Sequence, residues 1–319
     1  MTTARPTTPQ SSDVTGSPGS PLSGVLLMGL SCTVWGLSGM YYKLLDHIPP
    51  IEVLCHRTLW SAILFTAVLA LQGRLRALPA AMRAPRQAVI IALGALMISI
   101  NWFVFIWSIH NDRAMEASMG YFLFPLVAVI FGAFFFAERL ATGQKLAVGL
   151  AALAIVVLTV GLGVAPWIAL VLAGSFGLYS VIKKSLGVGP VVSVTLEVLL
   201  LAPIALIVLW SVGGGSFGSN LQDSFLLVLS GVLTAIPLIL FSAATKRVSL
   251  AAIGLVQYLN PTLQFGVATL VFLEPFTIWH AIAFPMIWAA LAIYSAVSLG
   301  QGRAARKAAK AAGTSGTTL

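Results

Sequence analysis

Charge is scarce in this chain. Asp, Glu, Lys and Arg make up 8% of its 319 residues, where a soluble domain carries about 25%, and a fold with a charged, water-facing surface is thereby excluded. Acids are the scarcer half, nine against 18 bases, and all four Asp residues lie in the N-terminal tail or between apolar runs. Intramembrane aspartyl catalysis needs paired Asp residues inside a span and finds none. No H-E-x-x-H motif and no P-loop occur, so metalloprotease chemistry and ATP-driven pumping by this chain drop out as well. Cysteine is limited to Cys32 and Cys55, both inside apolar runs and without metal-ligand spacing. Neither a disulfide framework nor a metal site is indicated, no cofactor is implied, and small packing residues are the expected role of both.

What the chain has instead is apolar length. Hydrophobic residues reach 59%, and mean hydropathy is +0.98. They gather near residues 24–42, 52–71, 87–109, 115–137, 144–162, 166–182, 190–212, 224–245, 250–272 and 277–299. Each run is close to the roughly 20 residues needed to cross a bilayer, which predicts an all-α integral membrane protein of ten transmembrane helices. The weakest boundary is that between the fifth and sixth runs, marked only by Gly161, Gly163 and Pro166. Residues 1–22, rich in Ser, Thr, Pro and Gly, hold no signal-peptide core and read as a disordered tail.

The net charge of +9 does not point to nucleic acid, because Lys and Arg fall in short loops instead of on one domain. Fifteen of the 18 lie in the tails and alternate loops, from Arg5 and the four arginines of residues 72–86 to Lys183, Lys184 and Lys310. Only Lys43 and Arg113 lie in the opposite loops, and Arg57 is inside a span. The positive-inside rule then places both termini in the cytoplasm.

One stretch occurs twice. A shift of 136 lays residues 114–139 without a gap on 250–275, matching Leu123 with Leu259, Pro125 with Pro261, Phe136 with Phe272 and Glu138 with Glu274. A mid-span Pro and a terminal Glu are both costly in lipid, so their joint recurrence indicates duplication. A shift of 141 sets Gly36 on Gly177, Lys43 on Lys184, Pro49 on Pro190 and His56 on Glu197. Five spans per copy is an odd number, so the two copies run through the membrane in opposite senses. Inverted repeats are a construction by which transporters obtain outward-open and inward-open states around a midplane site.

Several intramembrane residues are candidates for a substrate or coupling path. His56, Arg57 and Trp60 share the second span. Arg57 reads either as a cavity-lining cation for an anionic or zwitterionic substrate or as a residue snorkelling from about 10 Å inside the membrane. Glu197, the one acid well inside a run, reads either as a proton-exchanging group or as a structural hydrogen-bond partner. Asn101 and Trp102 in the third span, Glu116 and Tyr121 in the fourth, and Gln257, Tyr258 and Asn260 in the ninth complete the set. Gln257, Asn260 and Gln264 recur at helical spacing on one face, which should point into the bundle. Glu138 and Glu274 read as caps or gate contacts in a solvated setting. The small residues of the fifth and tenth spans read as a scaffold or interface, and homo-oligomerisation stays open.

Trp35-Gly36, HRTLWS at 56–61, NWFVFIW at 101–107, EASMGYFLFPL at 116–126, the F-x-E-R ending at 136–139, QYLNPT at 257–262 and IWAALAIYS at 287–295 together resemble the RarD-type members of the EamA family, within the drug/metabolite transporter superfamily. The resemblance covers roughly residues 23–300. It implies two EamA repeats, helices 1–5 over 23–163 and helices 6–10 over 164–300, followed by a basic cytoplasmic tail over 301–319. It also implies a bacterial inner-membrane secondary transporter that exports small metabolites or drugs. A small-molecule substrate, membrane lipid and candidate protons are the expected partners, without nucleic acid. A membrane-embedded enzyme and a passive channel are the competing readings, disfavoured by the missing catalytic motifs and by the scattered, nonequivalent polar positions.

Overall fold

The computed structural model describes residues 21–136, 140–212, 215–245, 247–248 and 250–314. Residues 1–20 of the proposed disordered tail, Glu138 and Arg139 thus lie outside the described residues, while Pro21 and Leu22, assigned to that tail, begin the first helix. In chain order the helices are α1 (Pro21–Lys43), α2 (Pro50–Leu71), α3 (Ala77–Met82), α4 (Pro85–His110), α5 (Ala114–Phe136), α6 (Thr142–Leu162), α7 (Trp167–Lys184), α8 (Pro190–Ser211), α9 (Leu221–Thr245), α10 (Leu250–Gln257), α11 (Leu259–Gly266) and α12 (Ile278–Thr314), with a π turn at Val267–Val271 after α11. Local sequence sets several ends. Proline stands at the first helical position of α2, α4 and α8, where its missing N–H costs nothing. Gly163, at φ +69°, closes α6 in the left-handed conformation and settles the boundary that hydropathy left vague.

Among the described residues, nine helices are long and apolar enough to cross a membrane. The ninth crossing is the exception. Pro261 has no N–H for the Gln257 carbonyl and its ring crowds that turn, so α10 ends at Gln257 and the chain resumes as α11 before loosening into the π turn. Its counterpart Pro125 stays inside the unbroken α5. Two further departures from the hydropathy reading are the short α3 and the continuation of α12 to Thr314. The apolar side of α3 covers Leu69, Ile91, Val192 and Leu196, which explains why a loop rich in arginine still forms a helix.

Packing repeats with its partners exchanged. Where α1 packs on α9, α4 packs on α7; where α1 packs on α11, α5 packs on α7; and α2–α8, α5–α11 and α6–α12 are each a contact between equivalent helices. Glycines fix the register. A Cβ on Gly36 would come 2.7 Å from Leu263 Cβ, and one on Gly177 would come 3.1 Å from Val127 Cγ1. Gly36 and Gly177 are related by the shift of 141, and Val127 and Leu263 by that of 136, so one close approach occurs twice. In the α6–α12 contact Gly143 faces Val297 and Gly161 faces Trp279, again equivalent pairs under the shift of 136. An exchange of this kind is what two inverted copies produce.

Large side chains such as Leu71, Phe134, Val160, Trp210 and Leu270 cover the outside, as lipid contact requires. Polar side chains turn inward, among them Arg57, Asn101, Glu197, Thr234 and Gln264, all buried.

Candidate transport path

Arg57 sits two turns inside α2 and is 6% exposed. Its Nε–H donates to Thr234 Oγ1 on α9 at 2.9 Å, and its guanidinium carbon lies 4.0 Å from the centre of the Trp102 ring and 5.7 Å from that of Tyr42. The side chain therefore points into the bundle and does not snorkel. Among the described residues no carboxylate is within ion-pair distance of it. The backbone allows this crossing because Gly231, one turn before Thr234, lies against the Trp60 backbone with no room for a Cβ.

His56 and Trp60 face a different neighbour. Phe217, from the loop between α8 and α9, stacks on His56 with ring centres 5.2 Å apart and tilts against Trp60 at 5.8 Å. The Glu52 carboxylate accepts from the Ser216 N–H and holds the same loop. Gly215, at φ +69°, lets the chain pass close to that carboxylate. On this face of the bundle, far from both described chain ends, further contacts join the helix ends. Lys43 pairs with Asp112 at 2.8 Å, His47 with Asp223 at 3.1 Å and Arg113 with Glu116. Glu274 accepts from the Ala114 and Met115 N–H groups and so caps α5, not its own helix. It is buried, which corrects the expectation of a solvated carboxylate. Burial holds its carboxyl above the ordinary value while the Met115 and Ala114 amides pull it down. Glu116 thus belongs to the far face, away from the interior.

Asn101 is the polar hub between α4, α5 and α7. It accepts from the Tyr121 hydroxyl at 2.9 Å and donates to the Leu172 carbonyl and Ser175 Oγ, each at 3.1 Å. Around it runs a column of aromatic rings. From Tyr42 beside Arg57 it passes to Phe105 (6.0 Å), Tyr121 (5.9 Å), Phe176 (6.1 Å) and Tyr179 (5.9 Å). The Tyr179 hydroxyl donates to Glu197 Oε2 at 3.0 Å. Glu197 is fully buried and is paired with Lys183 of α7, which also donates to Ser193, while Ser193 Oγ donates to Glu197 at 2.9 Å. Lys183 had the look of a loop charge, yet its ammonium is folded back into the bundle 4.9 Å from the Tyr179 ring. The column links the far-face half, with Arg57, to the half with the Lys183–Glu197 pair.

The polar stripe of the ninth crossing is only partly kept. Gln264 donates to Asn260 Oδ1 at 3.0 Å and faces α1 beside a cavity of about 10 Å³ lined by Gly36, Phe105 and Phe272. Gln257 is on the other side of the helix break, and Tyr258 lines a groove of about 350 Å³ with Phe122, Trp288 and Ser295. Thr234, Tyr42, Lys183, Tyr179 and Phe217 are site neighbours that the sequence did not single out.

Two inverted five-crossing repeats, packed by partner exchange around a polar and aromatic interior, are the architecture of a membrane transporter. The chain belongs to the EamA-like transporter family, whose family model matches residues 22–160, and within it to the RarD-type members. A protein RarD from Streptomyces exfoliatus is 40% identical over 286 residues, 88% of this chain and 90% of that one. An uncharacterized transporter of Vibrio cholerae is 38% identical over 289 residues, 89% and 96% of the two chains. A solved crystal structure matches at a TM-score of 0.56 and 19% identity, covering 86% of this chain and 97% of that one, which supports the fold alone.

Proposed function

We propose that this chain is a secondary transporter that moves a small organic molecule out of the cytoplasm across the bacterial inner membrane by alternating access. Residues 23–163 and 164–300 form its two repeats, and both termini are cytoplasmic. The observation that carries the reading is the exchange of packing partners, exemplified by Gly36 on Leu263 and Gly177 on Val127. Each repeat can adopt the packing now held by the other, which yields a second arrangement of similar energy with opposite access. In the arrangement described here the far face is latched by Lys43–Asp112, by Glu274 on the α5 amides and by Phe217 over His56 and Trp60. The path under this reading runs from Arg57 along the aromatic column to the Lys183–Glu197 pair, with His56 and Trp60 at its far-face mouth.

The latch supplies the test. Lys43→Cys and Asp112→Cys, with Cys32 and Cys55 replaced by Ala, place two thiols at the far-face contact. Closing them with a disulfide-containing bismaleimide should stop protein-dependent release of a loaded metabolite extract from proteoliposomes, and reducing the linker should restore it. Release that continues with the two helices joined would rule out alternating access through this face.

A further inference from the structure

Among the described residues two cations are turned into the bundle, Lys183 and Arg57, and only the first has a carboxylate beside it. Lys183 has its carboxylate in Glu197. Arg57, 6% exposed, has a neutral hydroxyl at Nε, an aromatic face over its guanidinium and no carboxylate at ion-pair distance among the described residues. Cation–π contact and one hydrogen bond replace part of the lost hydration, but neither cancels a full charge in a low-dielectric surrounding. An apolar side chain at this position would fill the same space without the penalty, so the charge has a use that the bundle alone does not supply.

We propose that Arg57 is the anchor of an anion subsite and that the molecules carried are small organic carboxylates with an apolar or aromatic body. This deepens the transporter reading and rests on it. The directionality comes from the side chain itself. Thr234 occupies the Nε–H, Trp102 covers one face of the plane, and the Tyr42 hydroxyl is the only other side-chain group that bonds the guanidinium among the described residues, a neutral partner that an anion can displace. An incoming group must meet the two terminal nitrogens edge-on. A planar pair of oxygens fits that fork bidentately. The rest of the molecule then lies along Tyr42, Phe105, Tyr121 and Phe176, rings that accept flat apolar surface and offer few polar groups. The far end of the column does not trap the anion, since Lys183 is already paired.

The test uses proteoliposomes with the wild-type chain, Arg57→Gln, Arg57→Lys, Thr234→Val or no protein. They are loaded with a small-molecule cell extract divided by anion exchange into an acidic fraction and a neutral-plus-basic fraction, and released compounds are identified by mass spectrometry. The expected result is protein-dependent release of carboxylic acids from the acidic fraction, at least about tenfold lower in Arg57→Gln. Arg57→Lys should fall less, because it keeps the charge and loses the fork, and Thr234→Val should fall a few-fold. Protein amounts are matched by size-exclusion profile. If Arg57→Gln does not reconstitute, the Lys and Thr234 variants carry the same ordering. Release confined to the neutral-plus-basic fraction, or unchanged in all three variants, overturns the subsite. Release of phosphate esters in place of carboxylates overturns the substrate class. Release from neither fraction overturns the transporter reading on which the subsite rests.

Discussion

The Lys183–Glu197 contact allows the sharpest thermodynamic prediction. The Glu197 side chain is 1% exposed and that of Lys183 is 21% exposed, so removing either partner leaves a charge with little water. Breaking a buried pair from one side typically costs about 3–5 kcal/mol, whereas replacing both partners by neutral groups of similar volume is often near neutral. Glu197→Gln keeps an oxygen for the Tyr179 hydroxyl but turns its amide NH2 toward the Lys183 ammonium and the Ser193 hydroxyl, which both donate to Oε1. A loss of about 3 kcal/mol is expected. Lys183→Met strands the carboxylate, and its loss should be somewhat smaller because Tyr179 and Ser193 still donate to it. In the double variant both penalties vanish together, so the coupling energy should approach the sum of the two single losses, about 5 kcal/mol. Thermal unfolding in one detergent, with the wild type, both single variants and the double variant compared by a common probe, measures the cycle. Single-variant losses that add within about 0.5 kcal/mol would show that the two groups do not support each other. The proposed path would then lack an ion pair at its Lys183–Glu197 end.

Three further outcomes follow from the geometry. Gly36→Ala places a methyl 2.7 Å from a Cβ that cannot swing away, and should cost about 1–3 kcal/mol in detergent melting, while Gly177→Ala, at 3.1 Å from a rotatable methyl, should cost less than about 1 kcal/mol. Asn101→Leu removes three bonds between α4, α5 and α7 and should destabilise the fold by about 1–2 kcal/mol, measured by the same melting curve. Ser219→Cys, in a background with Cys32 and Cys55 replaced by Ala, should react with a membrane-impermeant maleimide added to intact cells, and labelling only after lysis would reverse the proposed orientation.

Most of the fold was legible because the bilayer imposes one rule on every crossing: about 20 apolar residues with internally bonded backbone. Even the register between repeats was written in two shifts, since the glycines that permit close approach are spaced by them. Lost to sequence reading were features that depend on which helices meet. Pro125 and Pro261 stand at equivalent positions, yet only the second is preceded by a helix break and followed by a π turn. Lys183 is indistinguishable from its neighbour Lys184 in a loop-charge count, and only the packing of α7 on α4 and α8 on α2 turns one of them inward. Arg57 was recognisable as anomalous by composition. Its partner Thr234 was not, because a threonine in an apolar helix usually bonds its own backbone, and this one does that too, donating to Ser230 O at 3.0 Å.

The side chains break the symmetry that the backbone keeps. Under the shift of 141, Lys183 falls on Tyr42 and Glu197 on His56, so the ion pair of one half is replaced in the other by a phenol and an imidazole. Arg57 itself falls on Val198, a buried residue with no charge. The half with Lys183 and Glu197 is thus neutral as a pair, and the half with Arg57 carries one positive charge with no fixed anion beside it. Two access states built from exchanged repeats would be nearly equal in energy if the halves were also chemically alike. They are not, and an anion moving past Arg57 changes the charge balance of one half only. A neutral substrate would leave that imbalance untouched in both states and could bias neither through charge, since a ligand shifts an equilibrium only by its difference in affinity for the two states. Under the proposed transport reading, the guanidinium left uncompensated among the described residues would connect the substrate class to the conformational change. A chain of the same fold with an apolar residue at position 57 should retain its packing and lose that connection.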